Sequence, residues 1–197
     1  MHPDTAVRLA APLITPRLAL EPQNAGHAEA FHLALLGDEA LYQWISMDRP
    51  ASLESLSRHW LALAQRGYRA PDGLHAWPTW AVRRQHDGAL IGRVDAEVLA
   101  AEDDEGGSTL LASNLGFYFF SPFWGLGYAS EAAAAALAHL AACGVRRCAA
   151  TVTVGNHASG RVLRKIGFRL HRILPGNDVI RGVAMDDEEY VWEAVQA

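Results

Sequence analysis

Apolar residues recur at helical spacing between Ala25 and Leu36 (Ala28, Phe31, Leu35), bounded by Pro22 before and Gly37 after, which predicts a first helix. A second is predicted from the cap Ser52 to about Arg66, with Leu53, Leu56, Trp60, Leu63 and Ala64 on one face. The first dozen residues read as a poorly anchored tail, and Arg17 to Glu21 as a short strand. Gly67 to Pro78 carries the glycines and prolines of a loop. Thr79 to Arg84 and Ala89 to Leu99 then form a hairpin around Asp87-Gly88. Thr109 to Phe120 is a long strand, the alanine-rich run from about Ala129 a helix, and Arg147 to Val154 a buried strand rich in β-branched residues. Asn156 caps a further helix to about Ile166, stopped by Gly167; strands follow over Phe168 to Leu174 and, closing the sheet, Tyr190 to Val195. The pattern describes one α/β domain over residues 1–197, with a mainly antiparallel sheet and no internal repeat.

At 197 residues, half of them hydrophobic, the chain can bury a core of its own. A net charge of -5 gives no general attraction to nucleic acid or an anionic membrane, so neither is an expected partner. No apolar run approaches the roughly twenty residues of a membrane span, and no signal segment opens the chain, so a cytoplasmic protein is expected. Cys143 and Cys148 lack the companion ligands of a metal site and read as free buried thiols; no metal is assigned. The acidic stretch Glu102 to Gly107 reads as a solvated hairpin tip, with an electrostatic lure for a cationic ligand as the alternative. Monomer and homodimer both remain open.

The most informative stretch is LGFYFFSPFWGLGYASEAAAAALAHL, Leu115 to Leu140. A strand that stops at Gly125 and Gly127 and restarts as a helix bares several N–H groups at the positive end of a helix dipole. Such a turn can cradle a phosphate, or its glycines can simply permit tight backbone angles. Ser130 stands where a dinucleotide fingerprint has its third glycine, and neither glycine is followed by the lysine of a phosphate-binding loop.

SPFWGLGYASEA, followed by NHASGRVLRKIGF (Asn156 to Phe168), resembles the GCN5-related N-acetyltransferases, in the ribosomal-protein-alanine (RimJ/RimL-like) branch that acetylates protein N-termini. LITPRLAL (Leu13 to Leu20) is similar to that branch's opening T-x-R-L strand, and ALIGR (Ala89 to Arg93) to its central hairpin. The resemblance implies a mixed, mainly antiparallel sheet of six to seven strands, splayed at the centre and flanked by about four helices. It implies acetyl-CoA as co-substrate, lying between the strand that ends near Phe120 and the strand that ends near Val154. Phe117, Phe119, Trp124, Gly125, Leu126, Gly127, Tyr128, Ala129, Ser130, Asn156 and Ser159 are the cofactor-binding candidates it implies. The first two helices would roof the acceptor channel, making Tyr42, Trp44 and Trp60 candidates to line it. Relatives carry Lys or Arg within the phosphate loop; here Leu126 and Pro122 stand there, leaving more of the binding to backbone.

Acetyl transfer needs a neutral amine against the thioester, a stabilised oxyanion and a proton for the departing thiolate. By the resemblance Ser159 is the proton donor, with a first-turn helix serine that bonds the backbone as the alternative, and Leu163 occupies the position of the tyrosine that many relatives use. Relatives place a glutamate where this chain has Asn114, which can hold a water but takes no proton. Glu97 and Asp95 are substitutes for that base, each with a plain surface carboxylate as its alternative, and Glu131 is expected to be structural. At pH 7 an α-amine of pKa about 7.8 is neutral about a tenth of the time, and a lysine amine near 10.4 less than about one time in a thousand. An N-terminal α-amine is therefore the expected acceptor, ahead of a small amine such as an aminoglycoside or polyamine. A non-catalytic acyl-CoA-binding module remains the reading from a different class.

Overall fold

A computed structural model describes residues 1–102 and 108–194. The chain opens with a helix, α1 (Pro3–Leu9), in place of the expected tail. Pro3 opens it, His2 accepts from the Asp4 N–H, and Ala6 and Leu9 are both 0% exposed, so the packing of these two side chains anchors the segment. Two strands, β1 (Leu13–Ile14) and β2 (Leu18–Pro22), lead to a helical turn at Ala25–His27 and then to α2 (Ala28–Gly37). Ser52 caps α3 (Leu53–Gln65) by accepting from the Ser55 N–H at 3.0 Å.

The sheet continues with β3 (His75–Ala76), β4 (Thr79–Arg84), β5 (Leu90–Glu102) and β6 (Ser108–Phe119). After β6 come α4 (Tyr128–Ala142), β7 (Val145–Thr153), α5 (His157–Lys165), β8 (Arg169–Ile180) and β9 (Val183–Glu193). Among the described residues the strands run in the order β1-β2-β4-β5-β6-β7-β9-β8, with β3 paired to β5. All pairings are antiparallel except β6 with β7. The class is the expected α/β one with a mainly antiparallel sheet, but the described residues hold nine strands and five α-helices rather than six to seven and about four. Two of the additional strands, β1 and β3, are two-residue pieces with no periodicity to read. The last strand is the inner member of a β8–β9 hairpin, between β7 and β8, and begins at Val183 rather than Tyr190. The acidic tip expected at Glu102 to Gly107 lies outside the described residues.

Each face of the sheet has its own core. On one, α1, α4 and α5 cover Leu18, Trp80, Val94, Leu115 and Phe119 with Leu9, Ala132, Ala136, Leu140 and Leu163. Alanines line α4 because a small side chain lets the helix lie close to the strands. On the other, α2 and α3 pack Phe31 and Trp60 edge to face at 5.2 Å, with Phe120 also against Phe31 at 5.3 Å. Asp38, at the end of α2, accepts from the Leu41 N–H and, at 2.6 Å, from the Ser121 N–H. This buried carboxylate ties the helical roof to the loop that leaves β6.

Candidate active site

β6 and β7 pair at Leu110–Val145, Leu111–Arg147 and Ala112–Cys148, and among the described residues no further. Beyond that point β6 pairs with β5, and β7 with β9. They part where Ser113 bulges from β6, since Glu97 is opposite Asn114 while the next residue, Val98, is opposite Ala112. The Phe120 N–H donates to the Ile91 carbonyl at 3.0 Å, which turns the main-chain groups of Gly116, Tyr118 and Phe120 toward β5. By alternation those of Leu115, Phe117 and Phe119 point across the gap at β7. The Val154 N–H donates to the Asp186 carbonyl at 2.9 Å, so the groups of Ala149, Thr151 and Thr153 point back from β7. Two strand edges thus face each other; the Phe119 carbonyl is taken by the Trp124 indole and the Thr153 carbonyl by the Asn156 N–H, and among the described residues the main-chain groups of Leu115, Phe117, Ala149 and Thr151 are left open for a ligand running between the strands. The Phe119 side chain is buried in the helix-covered core, which leaves that residue its backbone for a ligand, whereas Phe117 packs against the same core partly buried.

At the far end of this gap the chain turns through Ser121–Phe123 into Gly125 and Gly127, with φ of 74° and 80°. Gly127 is the N-cap of α4 and has no side-chain cap, and its carbonyl accepts the Glu131 N–H at 3.1 Å. Among the described residues no protein acceptor meets the N–H groups of Gly125 through Ser130. They are the open amides of a helix start, where the dipole favours an anion. Trp124 and Leu126 stand exposed beside them, and the Trp124 indole N–H donates to the Phe119 carbonyl.

Glu131 holds the cradle in place. It accepts from Thr15 Oγ1 (2.6 Å), the Arg17 N–H (2.9 Å) and Arg17 Nε (2.6 Å), while Arg17 also donates to the Leu126 carbonyl (3.0 Å) and lies over the Tyr128 ring. Burial works to raise the Glu131 carboxyl, and the Thr15 and Arg17 bonds outweigh it, holding the group below its ordinary 4.5. A lowered carboxyl stabilises the fold above its unfolded pKa, and that stabilisation is lost as pH falls through the folded value. The thermal stability gap between the native chain and Glu131→Gln should therefore be full at pH 6 and close progressively below about pH 4.5, which melting curves across pH 3–6 will check. A groove of about 540 Å³ adjoins the cradle between α4 and α5, lined by Arg17, Ser130, Glu131, Ala134, Lys165 and Trp192 among others.

A second cavity of about 310 Å³ opens on the sheet's other face, beneath α3. Its floor is a cross-strand array in which Asp95 lies opposite Gly116 and Glu97 opposite Asn114. Arg93 Nε donates to Asp95 at 3.0 Å, whereas the recorded contact of the Glu97 carboxylate is the Trp77 indole N–H at 3.4 Å. Trp60, Leu63 and Trp77 form apolar walls, exposed His59 stands at the edge, and Gln23 and Thr79 complete the far side. Burial pushes the nearby Tyr118 phenol up, so it stays protonated at neutral pH.

The sequence model of the acetyltransferase (GNAT) domain matches residues 17–169, well over half of the chain. The chain belongs to the GNAT acetyltransferase family. An uncharacterized N-acetyltransferase, YoaA of Bacillus subtilis (strain 168), is 27% identical over 184 residues, covering 90% of this chain and 94% of the relative. Two solved structures share the fold: Mycobacterium smegmatis RimJ in complex with CoA-disulfide (TM-score 0.76, 23% identity, 93% of this chain and 86% of that one), and a Salmonella typhimurium acetyltransferase (TM-score 0.70, 22% identity, 92% and 97%) described as modifying the N-terminal serine of ribosomal protein L7/L12. As a GNAT acetyltransferase the chain draws its acetyl group from acetyl-CoA, and the open strand edges and bare helix amides fit an extended amide-bearing arm that ends in a diphosphate.

Against that chemistry the expected residues fall into two groups. Glu97 and Asn114 come together as one cross-strand pair inside the cavity, and Asp95 is tied to Arg93. Glu97 and Asp95 are partly buried there rather than being surface carboxylates of a hairpin. Ser159 stands in the first turn of α5, outside that cavity's lining, its N–H donating to Asn156 Oδ1 at 3.2 Å. The cap uses only the Asn156 oxygen and leaves its amide NH2 for a ligand. Leu163 is fully buried in the core. Trp60 lines the cavity, and Tyr42 packs in the roof core. Gln23, His59, Trp77 and Arg93 are cavity residues that sequence reasoning missed, since four separate segments deliver them. Among the described residues no metal-binding cluster is present, and no helix is long and apolar enough to cross a membrane.

Proposed function

We propose that this GNAT enzyme acetylates the α-amine at a protein or peptide N-terminus, by direct attack of the amine on the thioester. The observation that carries the reading is the cavity floor at the strand bulge. Glu97 and Asn114 sit where β6 leaves β7, so a carboxylate not engaged by an arginine lies at the head of the open strand edges. From there to the cradle, Asn114 to Phe119 spans about 17 Å at the usual rise of about 3.3 Å per residue.

Acetyl-CoA supplies the activated acetyl group. Its diphosphate is assigned to the amides of Gly125 to Ser130, its amide-bearing arm to the backbone of Leu115 and Phe117 and to Asn156, and its nucleotide end to the groove beside Lys165. Glu97 takes the proton from the acceptor ammonium, directly or through a water held by Asn114, and the α2–α3 roof keeps solvent from the amine. Ser159 donates the proton to the departing sulfur as the C–S bond breaks, and the second proton that the nitrogen sheds on becoming an amide restores the serine hydroxyl. The weak basicity of an α-amine suits removal of its proton by a single carboxylate better than the strong basicity of a lysine amine does. The relative that modifies an N-terminal serine supports the same acceptor class.

The test is to follow thiol release from acetyl-CoA against N-terminal peptides, aminoglycosides and polyamines. Peptide N-termini should be preferred; selective turnover of a small amine would replace the reading, and acetyl-CoA binding without turnover on any amine would favour a non-catalytic module. Ser159→Ala should lower kcat by about tenfold to a hundredfold while leaving the acetyl-CoA Kd nearly unchanged, and normal turnover would remove Ser159 from the mechanism.

A further inference from the structure

Gln23 follows directly on β2 and is 0% exposed. Its main chain is fully engaged, the N–H donating to the Thr79 carbonyl at 2.8 Å and the carbonyl accepting from the Tyr68 hydroxyl at 3.1 Å. Its side chain is not. Among the described residues neither Nε2 nor Oε1 has a hydrogen-bond partner, although both are buried and Gln23 lines the cavity that holds Glu97 and Asn114. A buried carboxamide with both ends unpaired is costly to keep, and native proteins retain such groups where something else completes them.

We infer that Gln23 recognises the acceptor's first peptide units, pairing its Oε1 with a peptide N–H and its Nε2 with a peptide carbonyl. The inference rests on the N-terminal acceptor reading above and names the feature by which the site tells a peptide from a bare amine. A primary carboxamide presents one acceptor and two donors side by side, the complement of a peptide unit's donor and acceptor. Distance sets which unit it meets. Gln23 pairs through Thr79 on β4, Thr79 is opposite Asp95 on β5, and Glu97 is on that same strand. Two strand spacings of about 4.8 Å put the Gln23 backbone about 10 Å from the strand that carries the base. A glutamine side chain bridges about half of that, so it meets the first or second peptide unit of an acceptor whose amine lies at Glu97. The Trp60, Leu63 and Trp77 walls exclude water that would compete for the pairing. A polyamine or alkylamine has nothing to pair with the carboxamide, and leaves it unpaired in the complex.

The test compares kcat/KM for a short N-terminal peptide, its depsipeptide analogues with an ester at the first or second linkage, and an alkylamine, in native enzyme, Gln23→Leu and Gln23→Met. Native enzyme should prefer the peptide over one of the esters by about tenfold, and over the alkylamine by more. Both variants should lose that preference while the acetyl-CoA KM holds and the melting temperature stays level or rises, because an unpaired buried amide has been removed. A purely structural role would lower the melting temperature and leave the preference intact, and that result would overturn the inference. Native enzyme that acetylates alkylamines and no peptide would overturn the acceptor reading itself. Native enzyme that acetylates peptides with a preference insensitive to Gln23 would overturn only the role of Gln23.

Discussion

Glu97→Gln should lower kcat/KM for a peptide amine by about a hundredfold or more at pH 7, with the acetyl-CoA Kd unchanged. The residue faces the cavity from β5, directly across from Asn114, and its recorded partner is a 3.4 Å indole N–H that leaves most of its acceptor capacity open. The competing groups are weaker candidates. Asp95 is engaged by Arg93, Tyr118 stays protonated at working pH, and Asn114 accepts no proton. Glutamine matches glutamate in shape and keeps the Trp77 contact possible, so the substitution removes the base and little else. The deficit should shrink as pH rises past about 8, because an α-amine then deprotonates in solution and needs the carboxylate less. Asp95→Asn should give a smaller loss that does not narrow with pH, since it disturbs the Arg93 pairing rather than proton removal. If Glu97→Gln turns over normally at pH 7 while His59→Ala does not, the histidine at the cavity's edge is the base and the assignment is wrong.

The second large effect falls on the cradle. Gly127→Val should weaken acetyl-CoA binding by about a hundredfold. A β-branched residue at φ 80° costs about 1–3 kcal/mol, and the chain can relieve it only by turning the N–H groups that open α4. The added side chain would also approach Arg17 Nη2, which lies 3.4 Å from the Cβ position. Strain alone is controlled by Gly88→Val, at φ 73° in the β4–β5 turn with open space around it. That variant should lose comparable stability and bind acetyl-CoA as native enzyme does. Equal loss of binding in both would mean that the cradle acts only through general stability. Calorimetric titration with acetyl-CoA alongside melting curves separates the two.

How much of this was legible before folding depends on how local each feature is. The cradle was readable because its glycines, the following helix and the preceding strand are contiguous, and the caps Ser52 and Asn156 were readable for the same reason. The N-terminal helix was not: His2 is an atypical cap, and the pull of Ala6 and Leu9 into the core comes from residues far along the chain. The β8–β9 hairpin was hidden by Pro175-Gly176-Asn177-Asp178, a run that reads as a break. An edge strand tolerates it, because the register shift between Leu174 and Asp178 absorbs the irregular residues and no outer neighbour needs their N–H groups. The cavity was legible only in part. Glu97 and Asn114 could be proposed one at a time, yet their pairing across β5 and β6 depends on the Ser113 bulge. Gln23 carries no motif at all, and becomes visible only as a buried amide without partners.

The most direct test of the account is amide hydrogen exchange, residue by residue, with and without saturating coenzyme A. Slowed exchange concentrated at Leu126 to Ser130 and at the outward-facing amides of Leu115 and Phe117 is the result it predicts. Saturable binding that leaves those amides exchanging as before, with protection elsewhere in the chain, would contradict it.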